Sequence, residues 1–291
     1  MNLPDFLAVI LTTFLTLPFA FLESCQSRQG GGADSNLTVG NGFDQGADGN
    51  KGSVLNYIVV RDPGMSQVEV ACTGAFVSRH HILTAAHCVM NSHGQASKPN
   101  LIRVTSQFVS VNSVRVHPDY LAMGGKWSVK SAAVDLAIID ATPSADFEVE
   151  REARAFDEAV PPLCIRAPVV GSIIQIIGYG KISTKDHSSI ETPRVGTNDV
   201  YAVNETITLR SAAASSVSGD AKTRAEAMDA VSLVGDSGGP LMFEGRVCGI
   251  GSGGGGAGVF TSDSVSIYVN LMNPRVEAFI RPIRTESVVP Q

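Results

Sequence analysis

Basic runs are missing from this chain. Its 22 Lys and Arg are scattered among 28 Asp and Glu, for a formal net charge of −6. Phosphate backbones are held by clustered positive charge, so this distribution speaks against a nucleic-acid partner. Charge of either sign is scarce, at 17% of residues against 44% hydrophobic, a balance that buries a core and excludes a disordered chain. One long apolar run exists, the seventeen uncharged residues Phe6 to Leu22. A spanning helix needs about 20, so the run fits a signal-peptide core better, although Asp5 and the lack of Lys or Arg make its n-region atypical. The six histidines, His80, His81, His87, His93, His117 and His187, include no pair at metal-ligand spacing with an acid nearby. No acidic loop suits calcium either, so neither a metal nor a cofactor is expected.

What the chain does have is turn chemistry. Twenty-nine Gly and fourteen Pro, among many Val, Ile, Thr and Ser, favour short strands over long helices. Length alone allows one large β domain or two small ones. Residues 25–50, with Gly30-Gly31-Gly32 and few large apolar side chains, read as a flexible tether. Strand-like runs follow at Val54–Val60, Val68–Cys72, Gly74–Val77, Ile102–Val104, Val109–His117 and Val134–Asp140, with a turn at Asp62-Pro63-Gly64. Pro161-Pro162 marks a boundary, and Ser172–Gly180 opens the second half. Ala221–Ala230 reads as a helical turn, and Val276, Phe279 and Ile280 stand at helical spacing between Pro274 and Pro282. His80 and His81 are expected in a solvated turn, His93 and His187 in polar loops.

Three short segments carry chemistry: Thr84-Ala85-Ala86-His87-Cys88, Asp135-Leu136-Ala137-Ile138-Ile139 and Gly235-Asp236-Ser237-Gly238-Gly239-Pro240. A serine alcohol attacks a carbonyl only when a base takes its proton and a further group orients that base. His87, Asp135 and Ser237 supply those groups, and the glycines around Ser237 suit a tight turn whose N–H groups face a developing oxyanion. The stretch around Ser237 also fits the G-x-S-x-G pattern of α/β-hydrolases, which run in the order Ser, acid, His. All six histidines precede Ser237, so that alternative fails on order.

In the order His, Asp, Ser, these segments resemble the trypsin/chymotrypsin-like serine peptidases, as does His117-Pro118-Asp119-Tyr120 ahead of the acid. The resemblance covers about residues 38–283 and implies an all-β fold of two six-stranded antiparallel barrels, at about 52–155 and 165–272, with a C-terminal helix at about 274–283. It implies Ser237 as nucleophile, His87 as general base, Asp135 as the buried orienting acid, and the N–H groups of Gly235 and Ser237 as oxyanion hole. The pocket walls would be Ser252-Gly253-Gly254 and the segment from Gly258, with Val231 and Ser232 at its base. Val231 stands where trypsin-like members carry an acid, so Arg/Lys specificity is not expected; a loop shift bringing in Asp229 is the alternative. Gly253 stands where the family carries an aromatic residue, which implies a roomy pocket for a large apolar side chain. Leu233 replaces the first cysteine of the disulfide that braces this pocket in the family. Activation in the family pairs a freed N-terminus with the acid before the nucleophile, here Asp236; the nearest match to the usual start is Thr38-Val39-Gly40-Asn41.

Leu22-Glu23-Ser24-Cys25 resembles a bacterial lipoprotein box, which makes residues 1–24 a signal peptide and Cys25 a lipid acceptor. A plain cleaved signal peptide and an uncleaved anchor are the alternatives, and all three export the domain. Removing Cys25 leaves Cys72, Cys88, Cys164 and Cys248, which allow three pairings. The resemblance implies Cys72–Cys88, and Cys164–Cys248 is what then remains. The expected function is a monomeric, exported serine endopeptidase acting on protein or peptide substrates. A catalytically silent binding or adhesion module on the same fold, and a serine esterase, are the rival readings.

Overall fold

The computed structural model describes residues 55–60, 70–98, 101–104, 107–142, 160–179, 194–210, 230, 232, 235–255 and 265–284. Strands β1 (Leu55–Val60), β2 (Val70–Phe76), β3 (His81–Thr84), β4 (Leu101–Val104), β5 (Gln107–Val116) and β6 (Ala137–Thr142) close a first barrel in the order β1-β2-β3-β6-β5-β4. Strands β7 (Ile173–Gly178), β8 (Arg194–Val203), β9 (Thr206–Arg210), β10 (Pro240–Phe243), β11 (Arg246–Gly255) and β12 (Val265–Asn270) close a second in the order β10-β11-β12-β9-β8-β7. Every paired neighbour is antiparallel. Among the described strands, closure leaves no edge to attract another chain. A short helix α1 (Pro118–Ala122) lies between β5 and β6, and α2 (Pro274–Arg284) follows β12. The expected architecture of two barrels and a terminal helix is what the molecule has.

Local chemistry explains the elements. In β9, Ile207 and Leu209 are buried while Thr206, Thr208 and Arg210 face outward, the period-two alternation of a strand with one covered face. The β10–β11 hairpin turns through Glu244 and Gly245 at φ +50° and +71°, the left-handed pair that a two-residue hairpin needs. His117 caps α1, its ring accepting from the Asp119 N–H at 3.2 Å. α2 buries Val276, Ile280 and Ile283 on one face, against a core shared by both barrels that includes Leu83, Leu136, Ile138, Val247 and Ile250. Burying each such side chain is worth roughly 1.5–3 kcal/mol. This apolar seam holds the barrels together and leaves the turns at its rim to carry polar chemistry.

Three sequence expectations change. The runs Val68–Cys72 and Gly74–Val77 form one strand through Thr73, because β1 pairs continuously along it from Val70 to Ala75. The run expected from Val134 becomes a strand only at Ala137; Ala132–Val134 is a 3₁₀ turn and Asp135 leaves it at φ −73°, ψ 65°. His81 is not in a solvated turn. It begins β3, with Nδ1 2.8 Å from the Ser78 hydroxyl and Nε2 3.4 Å from Asp140. Asp62-Pro63-Gly64, His187 and Ala221 to Asp229, for which the sequence suggests a turn, a polar loop and a helical turn, lie outside the described residues, as does everything before Leu55.

Both disulfides form. Cys72–Cys88 ties β2 to the turn carrying His87, and Cys164–Cys248 ties the segment crossing between the barrels to β11.

Candidate active site

His87 sits in a 3₁₀ turn, Ala86–Val89, entered from β3 through Thr84 and Ala85. Ala85, Ala86, Cys88 and Val89 are buried around it, and Cys88 is bonded to β2, so the turn has little freedom. Asp135, fully buried, faces it from the turn that leads into β6, the strand paired with β3 in the same barrel. Its Oδ1 accepts the His87 backbone N–H at 2.9 Å and its Oδ2 lies 2.7 Å from His87 Nδ1. Oδ2 also accepts from the Ser252 hydroxyl at 2.8 Å. An ionised carboxylate only accepts, so Nδ1 carries the imidazole proton and Nε2 is the basic nitrogen. Burial works against the imidazolium, but the charge of Asp135 and its hydrogen bond outweigh it and hold His87 above the ordinary histidine value. The pair is therefore a base with one orientation and one tautomer.

Ser237 lies in a turn built from backbone. Gly235 and Gly238 adopt φ +100° and +85°, conformations that favour glycine. A Cβ on Gly238 would also lie 2.1 Å from the Thr73 carbonyl oxygen and 2.2 Å from Thr84 Oγ1, so only glycine fits between the turn and the first barrel. The Ser237 carbonyl accepts the Thr73 N–H at 2.8 Å, and Gly238 N–H donates to the Gly251 carbonyl at 2.7 Å. The turn is thus pinned to β2 on one side and β11 on the other. Among the described residues, the N–H groups of Gly235 and Ser237 have no acceptor. The Asp236 carboxylate packs on Gly178, where a Cβ would meet its Oδ1 at 2.0 Å.

Of the expected pocket residues, Val231 and Gly258 lie outside the described residues. Ser232 is buried, its N–H donating to Ser266 Oγ at 2.8 Å and its hydroxyl bonded to the Tyr268 hydroxyl. Ser252 turns its hydroxyl to Asp135, and Gly254 is half-buried. Gly253 does not leave the space that its missing side chain implied. The Trp127 indole occupies it, with ring atoms 2.7–2.9 Å from where a Cβ would stand. Thr73 and Trp127 are functional neighbours that sequence reasoning missed. Thr73 looks like any strand residue; Trp127 had one signal, as the single tryptophan of a chain with glycine where an aromatic was due.

The hydroxyl of Tyr120, from the segment His117-Pro118-Asp119-Tyr120, is buried without a hydrogen-bond partner among the described residues. Burial and the nearby Asp135 charge push its ionisation far up, so it stays neutral. Ligand atoms of Cys72, His87 and Cys88 lie within 4.8 Å of one another, but the two sulfurs are bonded to each other and offer no thiolate to a metal.

The Trypsin family model matches residues 44–276. A curated relative, CLIP domain-containing serine protease B15 of Anopheles gambiae, is 24% identical over 215 residues, which cover 63% of this chain and 52% of the relative. The chain thus spans about half the length of the curated relative it matches. Among solved structures, a Glu endopeptidase in complex with MPD superposes with TM-score 0.54 at 14% identity, covering 80% of this chain and 91% of that one. Neuropsin, a serine protease of mouse brain, superposes with TM-score 0.53 at 19% identity, covering 80% and 96%.

Proposed function

This chain belongs to the trypsin family, and from that membership we propose that it is a serine endopeptidase working through an acyl-enzyme. The observation that carries the reading is the His87–Asp135 pair, which leaves Nε2 as the base while the buried carboxylate compensates the imidazolium that forms. Ser237 Oγ attacks the scissile carbonyl as Nε2 takes its proton, and the same nitrogen returns that proton to the leaving amine. The Gly235 and Ser237 N–H groups, without acceptors among the described residues, are the donors for the tetrahedral oxyanion. One such donor is worth about 2.7–4 kcal/mol of transition-state stabilisation.

Substrates are proteins or peptides. Val231, which stands in the sequence where trypsin-like members carry an acid, argues against a preference for Arg or Lys before the cut. Two disulfides belong to an oxidising compartment, so the domain is exported; with residues 1–24 as signal peptide, Cys25 is its lipid acceptor at a bacterial membrane. Cleavage near Thr38 would free the N-terminus that pairs with Asp236 and would release the domain from that tether.

Digestion of an unstructured protein tests the reading, with cleavage products mapped by mass spectrometry. Wild type should cut within the chain, predominantly after residues other than Arg or Lys, and His87→Ala should not cut. Equal cutting by both proteins would refute it.

A further inference from the structure

Trp127 is the sole tryptophan of the 291 residues and lies in the loop after α1. Its indole crosses from the first barrel to β11, 125 residues away, and donates from Nε1 to Ser252 Oγ at 3.1 Å. Ser252 Oγ in turn donates to Asp135 Oδ2 at 2.8 Å. The direction of this chain of bonds is fixed by chemistry. An indole N–H only donates and a carboxylate only accepts, so the hydroxyl between them must accept from one and donate to the other. A serine hydroxyl otherwise rotates and can send its single proton elsewhere.

The indole is seated as well as bonded. A Cβ at Gly253 would stand 2.7 Å from Cζ2, 2.8 Å from Cε2 and 2.9 Å from Nε1, so the ring rests on the bare Cα of that residue. Two consecutive residues of β11 receive one side chain, Ser252 by a hydrogen bond and Gly253 by having none of its own. We infer that Trp127 is a positioning residue for Asp135, and through it for His87, by aiming the Ser252 proton at the carboxylate.

The catalytic consequence rests on the peptidase reading; the electrostatic one does not. Among the described residues Asp135 has three donors: the His87 N–H, the His87 Nδ1–H and Ser252. With the indole N–H gone, Ser252 is free to turn away, and the carboxylate loses one of the bonds that delocalise its charge. Its field on His87 is then less compensated and the imidazolium is favoured. The titratable groups facing Asp135 include His87 and Tyr120, and Tyr120 stays neutral because burial raises its ionisation.

Because the tryptophan is single, feeding 3-benzothienylalanine to a tryptophan auxotroph replaces the indole N–H by sulfur at this position alone, with nearly unchanged shape. The readouts are the NMR titration of His87 and the rate of fluorophosphonate labelling. In this protein and in Trp127→Phe, His87 should titrate at higher pH than in wild type, with labelling slowed on the order of tenfold. Gly253→Ala keeps the N–H but takes its seat; it should give the same titration shift and a red-shifted tryptophan emission. An unmoved His87 titration in the benzothienylalanine protein overturns the inference. Failure of the wild type to label contradicts the peptidase reading instead, and the His87 titration still decides the role of Trp127.

Discussion

Thr73 donates its hydroxyl proton to the carbonyl oxygen of Gly235 at 2.8 Å, across 162 residues. The same hydroxyl accepts the Tyr179 N–H at 3.0 Å, the Thr73 N–H donates to the Ser237 carbonyl at 2.8 Å, and its carbonyl accepts from Thr84 Oγ1 at 2.9 Å. One fully buried residue of the first barrel thus holds the Ser237 turn, the end of β7 and the strand leading to His87. Thr73→Val keeps the shape and strands the Gly235 carbonyl and the Tyr179 N–H. Urea unfolding should report a loss of about 1–3 kcal/mol. Steady-state kinetics should show a lower kcat with KM little changed, because the loosened part is the turn proposed to hold the oxyanion.

The His87–Asp135 pair sets the pH response. The proposed mechanism needs neutral His87, whose pKa is held above the ordinary value of about 6.5, so kcat/KM should rise with pH along an acid limb lying above that value. The stability that the pair contributes has the opposite sense: it is full below about pH 6.5 and is lost as pH rises through the folded-state value. Asp135→Asn removes the charge that favours the imidazolium and allows the wrong tautomer. The profile of kcat/KM should fall by about 10⁴-fold near neutrality, with its acid limb moved to lower pH.

Asp140 is a purely structural carboxylate. Burial would raise its pKa, but the Ser113 hydroxyl, the Arg115 guanidinium at 3.2 Å and His81 at 3.4 Å lower it below the usual range. Its contribution is therefore present above the unfolded value of about 3.9 and is lost as pH falls through the lower folded value. Asp140→Asn should cost about 1–2 kcal/mol at neutral pH and nothing in strong acid, as followed by denaturant melts across pH. Activity per folded molecule should not change.

The Cys164–Cys248 bond closes 84 residues, and the chain-entropy account gives such a loop about 4.5 kcal/mol. Replacing both cysteines with serine should lower stability by about 2–5 kcal/mol in urea melts while leaving the labelling rate of folded protein unchanged. Losing Cys72–Cys88 should slow labelling as well, because it loosens the turn that carries His87.

How far the sequence reaches depends on how local the chemistry is. The His87–Asp135 pair and the tight turn at Ser237 were legible because each lies in a short segment with a local pattern: small residues before His87, an apolar run after Asp135, glycines around Ser237. The α2 face was legible through Val276 and Ile280, one helical turn apart. Thr73 and Trp127 were not, because each acts through single hydrogen bonds to residues more than 100 positions away, which no local pattern encodes. His81 was misread because its partner Asp140 comes from β6, which is paired beside β3 only in the closed barrel. The space beside Gly253 was misjudged because a missing side chain says nothing about who fills the gap, here Trp127.

Ser237 as nucleophile is the central claim, and fluorophosphonate labelling of wild type and Ser237→Ala, with the adduct mapped by mass spectrometry, tests it most directly. One adduct on Ser237 in the wild type and none in the variant is the predicted result. Labelling that persists in Ser237→Ala, or an adduct mapped to another residue, would contradict it.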